Sequence, residues 1–296
     1  MELHYEVVDV FTEHALEGNA LAVFTDARGL ASETMQRIAR ELNLSETTFV
    51  LPATLPEAAA RVRIFTPNSE MVFAGHPTIG TAFVVRERGI VPRTASQFVL
   101  EEKVGPVKVR VEGAERPMIW LETPPIAKGP AFDRALCART LGLSEEHLLD
   151  GVPCRFLTAG NPTIFIPLRD AAAVDAARID SAALRELVAS QSEPTCIFAF
   201  APTPTGAYSR MFAEELGVVE DPATGSATGP LAAFMLDHGL APTADGTRLV
   251  SEQGTKMGRR SLLHVLIRGE MGGTAIEVGG HVTPVATATM RLEPPR

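Results

Sequence analysis

Short runs in which apolar and polar residues alternate, or apolar residues follow one another unbroken, dominate the chain. In the first half YEVVDVF, ALAVFTD, TTFVLPA, ARVRIFTP, SQFVLEEK, GPVKVRVEG and MIWLETPP read as strands between Gly, Pro and Asp breakers. Two segments there carry a helical period instead. Ser32 to Leu42 places Met35, Ile38, Ala39 and Leu42 on one face, with Ser32 available as a cap. The second helix follows Gly75 and runs through Gly80 to about Arg88.

The stretch from Thr123 to Ala131 is rich in proline and is the expected link between two domains, 1–122 and 123–296, with the last strand able to cross back to the first. Beyond it the same grammar returns. CIFAFAPT and AYSRMFAE read as paired strands, and a helix follows Gly225 to about His238, with Gly239 as its stop. TRLVSEQG, SLLHVLIRG, TAIEVGG and HVTPVATATMRL read as closing strands. Many strands with few helices predict an α+β protein rather than a doubly wound sheet.

The chain resembles itself. Phe49-Val50-Leu51-Pro52-Ala53-Thr54 is similar to Phe198-Ala199-Phe200-Ala201-Pro202-Thr203, and Arg63-Ile64-Phe65 to Arg210-Met211-Phe212. His76-Pro77-Thr78-Ile79-Gly80-Thr81-Ala82 then aligns with Asp221-Pro222-Ala223-Thr224-Gly225-Ser226-Ala227. Three matched blocks in one order predict two pseudo-symmetric domains whose glycine loops face each other across a cleft.

Helix physics suggests what such loops do. The first amides of a helix have no internal partners and sit at the positive end of its dipole. Gly80 and Gly225 would let a ligand come close to the backbone, and Thr81 and Ser226 would add hydroxyls, together a carboxylate site. Taken alone, Asp221-Pro222 also reads as a cap and first helical turn.

Composition narrows the function classes. With 45% hydrophobic and 21% charged residues the chain is an ordinary globular one. A net charge of −9 argues against nucleic acid as partner. Cys137, Cys154 and Cys196 are scattered, without metal spacing, as in a reducing compartment. No run of apolar residues approaches the ~18 of a membrane span, and the start lacks a signal pattern, so a cytoplasmic location is expected. The glycine loops match neither the Walker nor the dinucleotide pattern, and no H-E-x-x-H is present, so neither metal nor cofactor is expected.

The segments FTEHALEGNALAVF, NLSETTFV, FAGHPTIGTA, EDPATGSATGPLA and EQGTKMGRRS together resemble the PhzF family of phenazine biosynthesis. The resemblance covers nearly the whole chain. Two places depart from the family's usual GNP and GRPS, namely Gly18-Asn19-Ala20 and Gly258-Arg259-Arg260-Ser261. It implies a fold like diaminopimelate epimerase, two domains each wrapping an antiparallel sheet or barrel around a central helix, and a homodimer.

The same resemblance implies that Glu46 is the central acid–base residue. His76 and Asp221, at repeat-equivalent positions, join it as candidate catalytic residues, His76 orienting the substrate or tuning Glu46, and Ser45, Gly75, Gly80, Thr81, Gly225 and Ser226 are the candidate substrate-binding residues. Without the resemblance, Glu46 equally suits a solvated carboxylate at a strand edge and His76 a structural histidine. Related epimerases carry a cysteine on each loop; this chain has none there, so a two-thiol mechanism is excluded by residue type. Aligning the halves pairs Glu46 with Thr195, so symmetry breaks at the reacting group. The expectation is therefore an isomerase moving a proton on a small, cyclic unsaturated carboxylic acid. The alternatives are a cysteine-free amino-acid racemase or epimerase, and a non-catalytic binding protein on the same fold.

Overall fold

The computed structural model describes residues 1–269 and 275–292. The chain divides into two compact units, Met1–Glu122 with Gly279–Arg296, and Thr123–Val278. The first contains β1 (Glu2–Val10), β2 (Asn19–Phe24), α1 (Ser32–Leu42), β3 (Glu46–Leu51), β4 (Ala60–Phe65), β5 (Glu70–Met71), α2 (Gly75–Glu87), β6 (Gln97–Glu102), β7 (Gly105–Glu112) and β8 (Met118–Glu122).

The second continues with β9 (Ala127–Phe132), α3 (Arg134–Thr140), β10 (Cys154–Thr158), β11 (Thr163–Pro167), α4 (Ala171–Ala176), α5 (Ser181–Leu187), β12 (Cys196–Thr203), β13 (Gly206–Ala213), β14 (Val218–Asp221), α6 (Gly225–Asp237), β15 (Arg248–Gln253) and β16 (Ser261–Arg268). β17 (Ala275–Gly280) runs across the division, and β18 (Val282–Arg291) belongs to the first unit, where it pairs antiparallel with β1. That pairing is why the division does not leave 123–296 as one piece. Thr274, the first residue of the expected strand TAIEVGG, lies outside the described residues.

In the first unit the sheet is mixed rather than wholly antiparallel. β1 pairs antiparallel with β2, β3 with β4 and β6 with β7, but β2/β3 and β4/β6 are parallel. The chain between β2 and β3 is a crossover through α1, as a parallel pair requires. Alternation along the strands gives the sheet two apolar faces. On one, Tyr5, Phe24, Phe49 and Phe65 form a ladder with centroids 4.8, 5.0 and 5.5 Å apart, in the cluster that α1 covers with Met35, Ile38 and Ala39. Each aromatic pair contributes roughly 0.5–1.5 kcal/mol beyond its buried area. The other face takes α2, which is buried on every side from His76 to Arg86 and packs against β1, β2, β3, β4, β8 and β18. A helix apolar all round is a core helix. α1 has Ala31, not Ser32, at its cap; the Ser32 hydroxyl instead accepts from Arg63 at 2.9 Å.

The second unit repeats the plan. β11/β12 and β13/β15 are its parallel pairs, and α6 is its buried helix. Three short helices between β9 and β12 lie in a stretch to which the strand-and-helix pattern assigned nothing. Each is N-capped by an aspartate, Asp133, Asp170 and Asp180, whose carboxylate accepts from backbone amides of the first turn. The proline-rich link is shorter than expected, since Ala127–Phe132 is already strand β9.

The internal repeat is real, but its register differs from the one the Pro-x-x-Gly match suggests. α2 and α6 each have 13 residues and open on Gly75 and Gly225. Gly89 and Gly239, both at positive φ, follow their ends. Thr78 and Thr228 bond back to the carbonyls of Ala74 and Thr224 at 2.7 and 2.9 Å. Arg63 pairs with Glu70 and lies over Phe65, as Arg210 pairs with Glu220 and lies over Phe212. The equivalent of His76 is therefore Ser226, and Asp221 corresponds to Met71.

Among the described residues no helix is long and apolar enough to cross a membrane.

Candidate active site

Asn43 ends α1 in the left-handed conformation, its N–H bonding to Ala39 O at 3.1 Å. Asparagine tolerates that conformation better than other side-chain-bearing residues. Three residues later β3 begins at Glu46, beside Leu21 of β2. The strand period puts Glu46 and Thr48 on the α2 face. Thr48 there meets Thr81 of α2, hydroxyl to hydroxyl at 2.8 Å. Glu46 meets His76, the second residue of α2, with Oε2 3.2 Å from Nε2. Their side chains are 15% and 6% exposed, so the carboxylate keeps an opening that the imidazole lacks. The approach is close but off-line for a hydrogen bond. The other ring nitrogen, Nδ1, lies 3.4 Å from Asn19 Nδ2 at the start of β2. Asn19 is buried and was not singled out in the sequence, although it stands in one of the family-like segments, EGNA.

Burial drives the His76 pKa down from 6.5 to about 3, against a backbone hydrogen bond at Ala20 that works the other way. An ionised Glu46 so near would also favour the imidazolium, but desolvation is the larger effect for a buried ring. His76 is thus a neutral imidazole at ordinary pH. Such a ring can donate from Nε2 to a carboxylate or accept there from a carboxylic acid. It therefore suits Glu46 in either protonation state.

This has a consequence for stability. The unfolded chain takes up a proton at His76 below about 6.5, whereas the folded chain does so only near 3. The histidine's contribution is present above about 6.5 and is lost as pH falls through that window. The urea midpoint of the parent protein should fall more steeply between those two values than that of His76→Gln. Parallel curves would show that His76 does not titrate as a buried neutral group.

The remaining expected residues around α2 fall into two groups. Ser45 and Gly75 flank Glu46 and His76 and are half-buried. Thr78 N already bonds to Ala74 O at 3.2 Å and Pro77 has no N–H, which leaves the amides of Gly75 and His76 at the helix start. Gly80 and Thr81 do not have the ligand-facing roles expected for them. Gly80 lies inside the helix, and a Cβ there would stand 2.6 Å from Leu21 Cδ2 and 2.8 Å from Val10 Cγ2. It permits close helix–sheet packing. Thr81 is fully buried and spends its hydroxyl on Thr48.

In the second unit Asp221 ends β14 and does not cap α6. Thr224 holds the cap position, and its hydroxyl donates to Asp221 Oδ2. Gln253 fixes this turn from β15. Its Nε2 donates to Asp221 O at 2.7 Å and to Thr224 Oγ1 at 3.0 Å, and its Oε1 accepts from Thr224 N at 3.2 Å. Gly254 follows at φ +75°, where a Cβ would lie 2.6 Å from Pro222 O, so the EQG segment seats the Asp221-Pro222 turn closely. Gly225 opens α6, and Ser226 Oγ accepts from Asn161 Nδ2 at 2.7 Å.

Asn161, in Gly160-Asn161-Pro162, is thus to Ser226 what Asn19 is to His76. The strand ladders complete the correspondence. Leu21 sits beside Glu46, as Thr163 sits beside Cys196. The counterpart of Glu46 is therefore Cys196 rather than Thr195. Burial pushes that thiol up to about 12, so it stays protonated and unreactive. Among the described residues the carboxylate–imidazole pair of the first unit is thus replaced in the second by a thiol and a hydroxyl.

Comparison with known proteins places the chain in a family. The model of the PhzC-PhzF family, phenazine biosynthesis-like protein, matches residues 8–288. An uncharacterised isomerase of Mesorhizobium japonicum is 38% identical over 298 residues, covering 96% of this chain and 97% of its own. The trans-2,3-dihydro-3-hydroxyanthranilate isomerase of Pseudomonas chlororaphis is 36% identical over 293 residues, covering 98% and 99%. The crystal structure of the Bacillus anthracis phenazine biosynthesis protein of the PhzF family superposes with a TM-score of 0.89 over 99% of this chain and all of that one, at 24% identity, and so shares the fold. With a family match over nearly its whole length and isomerases of more than one-third identity as relatives, the chain belongs to the PhzC-PhzF family and is an isomerase.

Proposed function

We propose that the protein moves a proton between two carbons of a small, cyclic unsaturated carboxylic acid, with Glu46 as the group that carries it. The observation behind this reading is the largely buried, slightly exposed Glu46 carboxylate set 3.2 Å from a buried neutral imidazole. A carboxylate so placed can take a proton from carbon, and the His76 ring can then accept a hydrogen bond from the acid formed. Returning the proton to the far end of the allylic system completes an isomerisation with no net change in atoms or electrons. Family membership supports assigning Ser45, Gly75, Asp221, Gly225 and Ser226 to holding and orienting the substrate. Gly80 and Thr81 are left to packing.

The named reaction of the P. chlororaphis relative supplies the first substrate to try. In deuterium oxide, trans-2,3-dihydro-3-hydroxyanthranilate should be consumed with deuterium appearing at the carbon that receives the proton. A panel of amino acids should show no exchange at the α-carbon. Exchange at an α-carbon with no turnover of the unsaturated acid would replace this reading by racemisation.

A further inference from the structure

Below the first turn of α2 lies a second carboxyl group that the proposed reaction does not use. Thr78 Oγ1 is 2.7 Å from Ala74 O and 2.7 Å from Glu102 Oε1, at the end of β6. A hydroxyl has one proton, and both neighbours accept unless Glu102 brings a proton of its own. Glu102 is 5% exposed, and its other oxygen is buried without a partner. A carboxylate there would carry a full charge met at most by the single Thr78 proton, for which Ala74 O competes; a carboxylic acid would leave only a neutral carbonyl oxygen unmet.

The internal repeat points the same way. β6 ends on Glu102 as β15 ends on Gln253, and Gln253 steadies the turn before α6 through both ends of its amide. A protonated carboxyl offers the same pairing, one donor and one acceptor, that an amide offers.

We propose that Glu102 is a positioning residue that acts as a neutral carboxylic acid, donating to Thr78 Oγ1 while Thr78 donates to Ala74 O, and so holds the helix start that carries His76. Its effect on turnover rests on the acid–base reading of Glu46 and His76; its protonation does not. The Glu102 pKa is raised to about 8, chiefly by burial, with the Thr78 bond opposing.

The charged groups on neighbouring elements are engaged elsewhere. Arg61 of β4 lies 3.9 Å from Glu101, and Arg63 and Lys103 pair with Glu70 of β5. Arg110 of β7 pairs with Glu112, while Lys108 is exposed. On α2, His76 faces Glu46, Arg86 donates to the Arg93 carbonyl, and Glu87 pairs with Arg93.

The sign follows from linkage. A carboxyl raised on folding contributes stability that is complete below its unfolded value near 4.5 and is lost as pH rises through about 8. Three measurements on the full chain test the proposal. Infrared spectra of the parent should contain a protonated-carboxyl band at neutral pH that disappears around pH 8 and is missing from Glu102→Gln. The thermal midpoint of the parent should decline across the same window, and that of Glu102→Gln should not. Turnover should show an alkaline limb in the parent that Glu102→Gln lacks, while Glu102→Ala loses turnover at every pH.

A parent spectrum without that band at neutral pH would overturn the proposal even if the variants failed to fold. So would a Glu102→Gln protein that kept the parent's pH dependence of stability. The first two readouts need no substrate, so they stand or fall separately from the proposed reaction.

Discussion

Glu46→Gln should lower turnover by at least about a hundredfold, the low end for a positioned acid–base group, and leave the fold intact. The amide keeps the size and one acceptor of the carboxylate but cannot take a proton from carbon. Folding should be spared because the Glu46–His76 approach is not a formed ion pair: the imidazole is neutral, so no buried charge loses its partner. The measurement is turnover beside calorimetric binding of a substrate analogue. Binding should persist. Parent-rate turnover in Glu46→Gln would remove Glu46 from the mechanism, and lost binding with unchanged turnover per bound molecule would make it a recognition residue.

Gly80→Val should lower the unfolding free energy by about 3 kcal/mol, the upper end for overpacking a core. Its Cβ alone would stand 2.6 and 2.8 Å from side chains of Leu21 and Val10, both fully buried in the sheet. The helix must then lift from β1 and β2. Gly80→Ala should cost less, because alanine returns up to about 1 kcal/mol of helix propensity. Urea unfolding checks both, and Leu21→Ala in the Gly80→Val background should recover part of the loss. A Gly80→Val protein as stable as the parent would show that α2 is not tightly seated. Since α2 carries His76, turnover should fall alongside stability.

What could be read from the sequence follows from where its patterns are strong. The strands, α1, α2 and α6 were legible because alternation, a 3.6-residue period and flanking glycines mark them locally. The helices α3 to α5 were not; they have six or seven residues each, and their plainest mark, a capping aspartate, is common in turns. Parallel pairing of β2 with β3 depends on where α1 sends the chain, which no local pattern encodes. The repeat was visible but slipped, because Pro-x-x-Gly is a weaker guide than the asparagines at the approach to β2 and β11, which reach His76 and Ser226. Glu46 and His76 were found through the family-like segments. Glu102 could not be, since nothing in VLEEK distinguishes its buried carboxyl from the neighbouring Glu101.

The position of β18 bears on how the molecule is made. β1 and its partner along the whole ladder from Glu2–Arg291 to Val10–Val282 are separated in the chain by the entire second unit. Met1 also donates from its terminal nitrogen to Leu292 O at 2.7 Å, so the two extremes of the described chain lie side by side. The second unit is one uninterrupted stretch and can close while translation continues; the first must wait with an open sheet edge until β18 arrives. That same adjacency makes the protein suited to circular permutation. A short linker from Leu292 to Met1, with a new break in an exposed turn of the second unit, would turn the first unit into a continuous stretch and remove the wait.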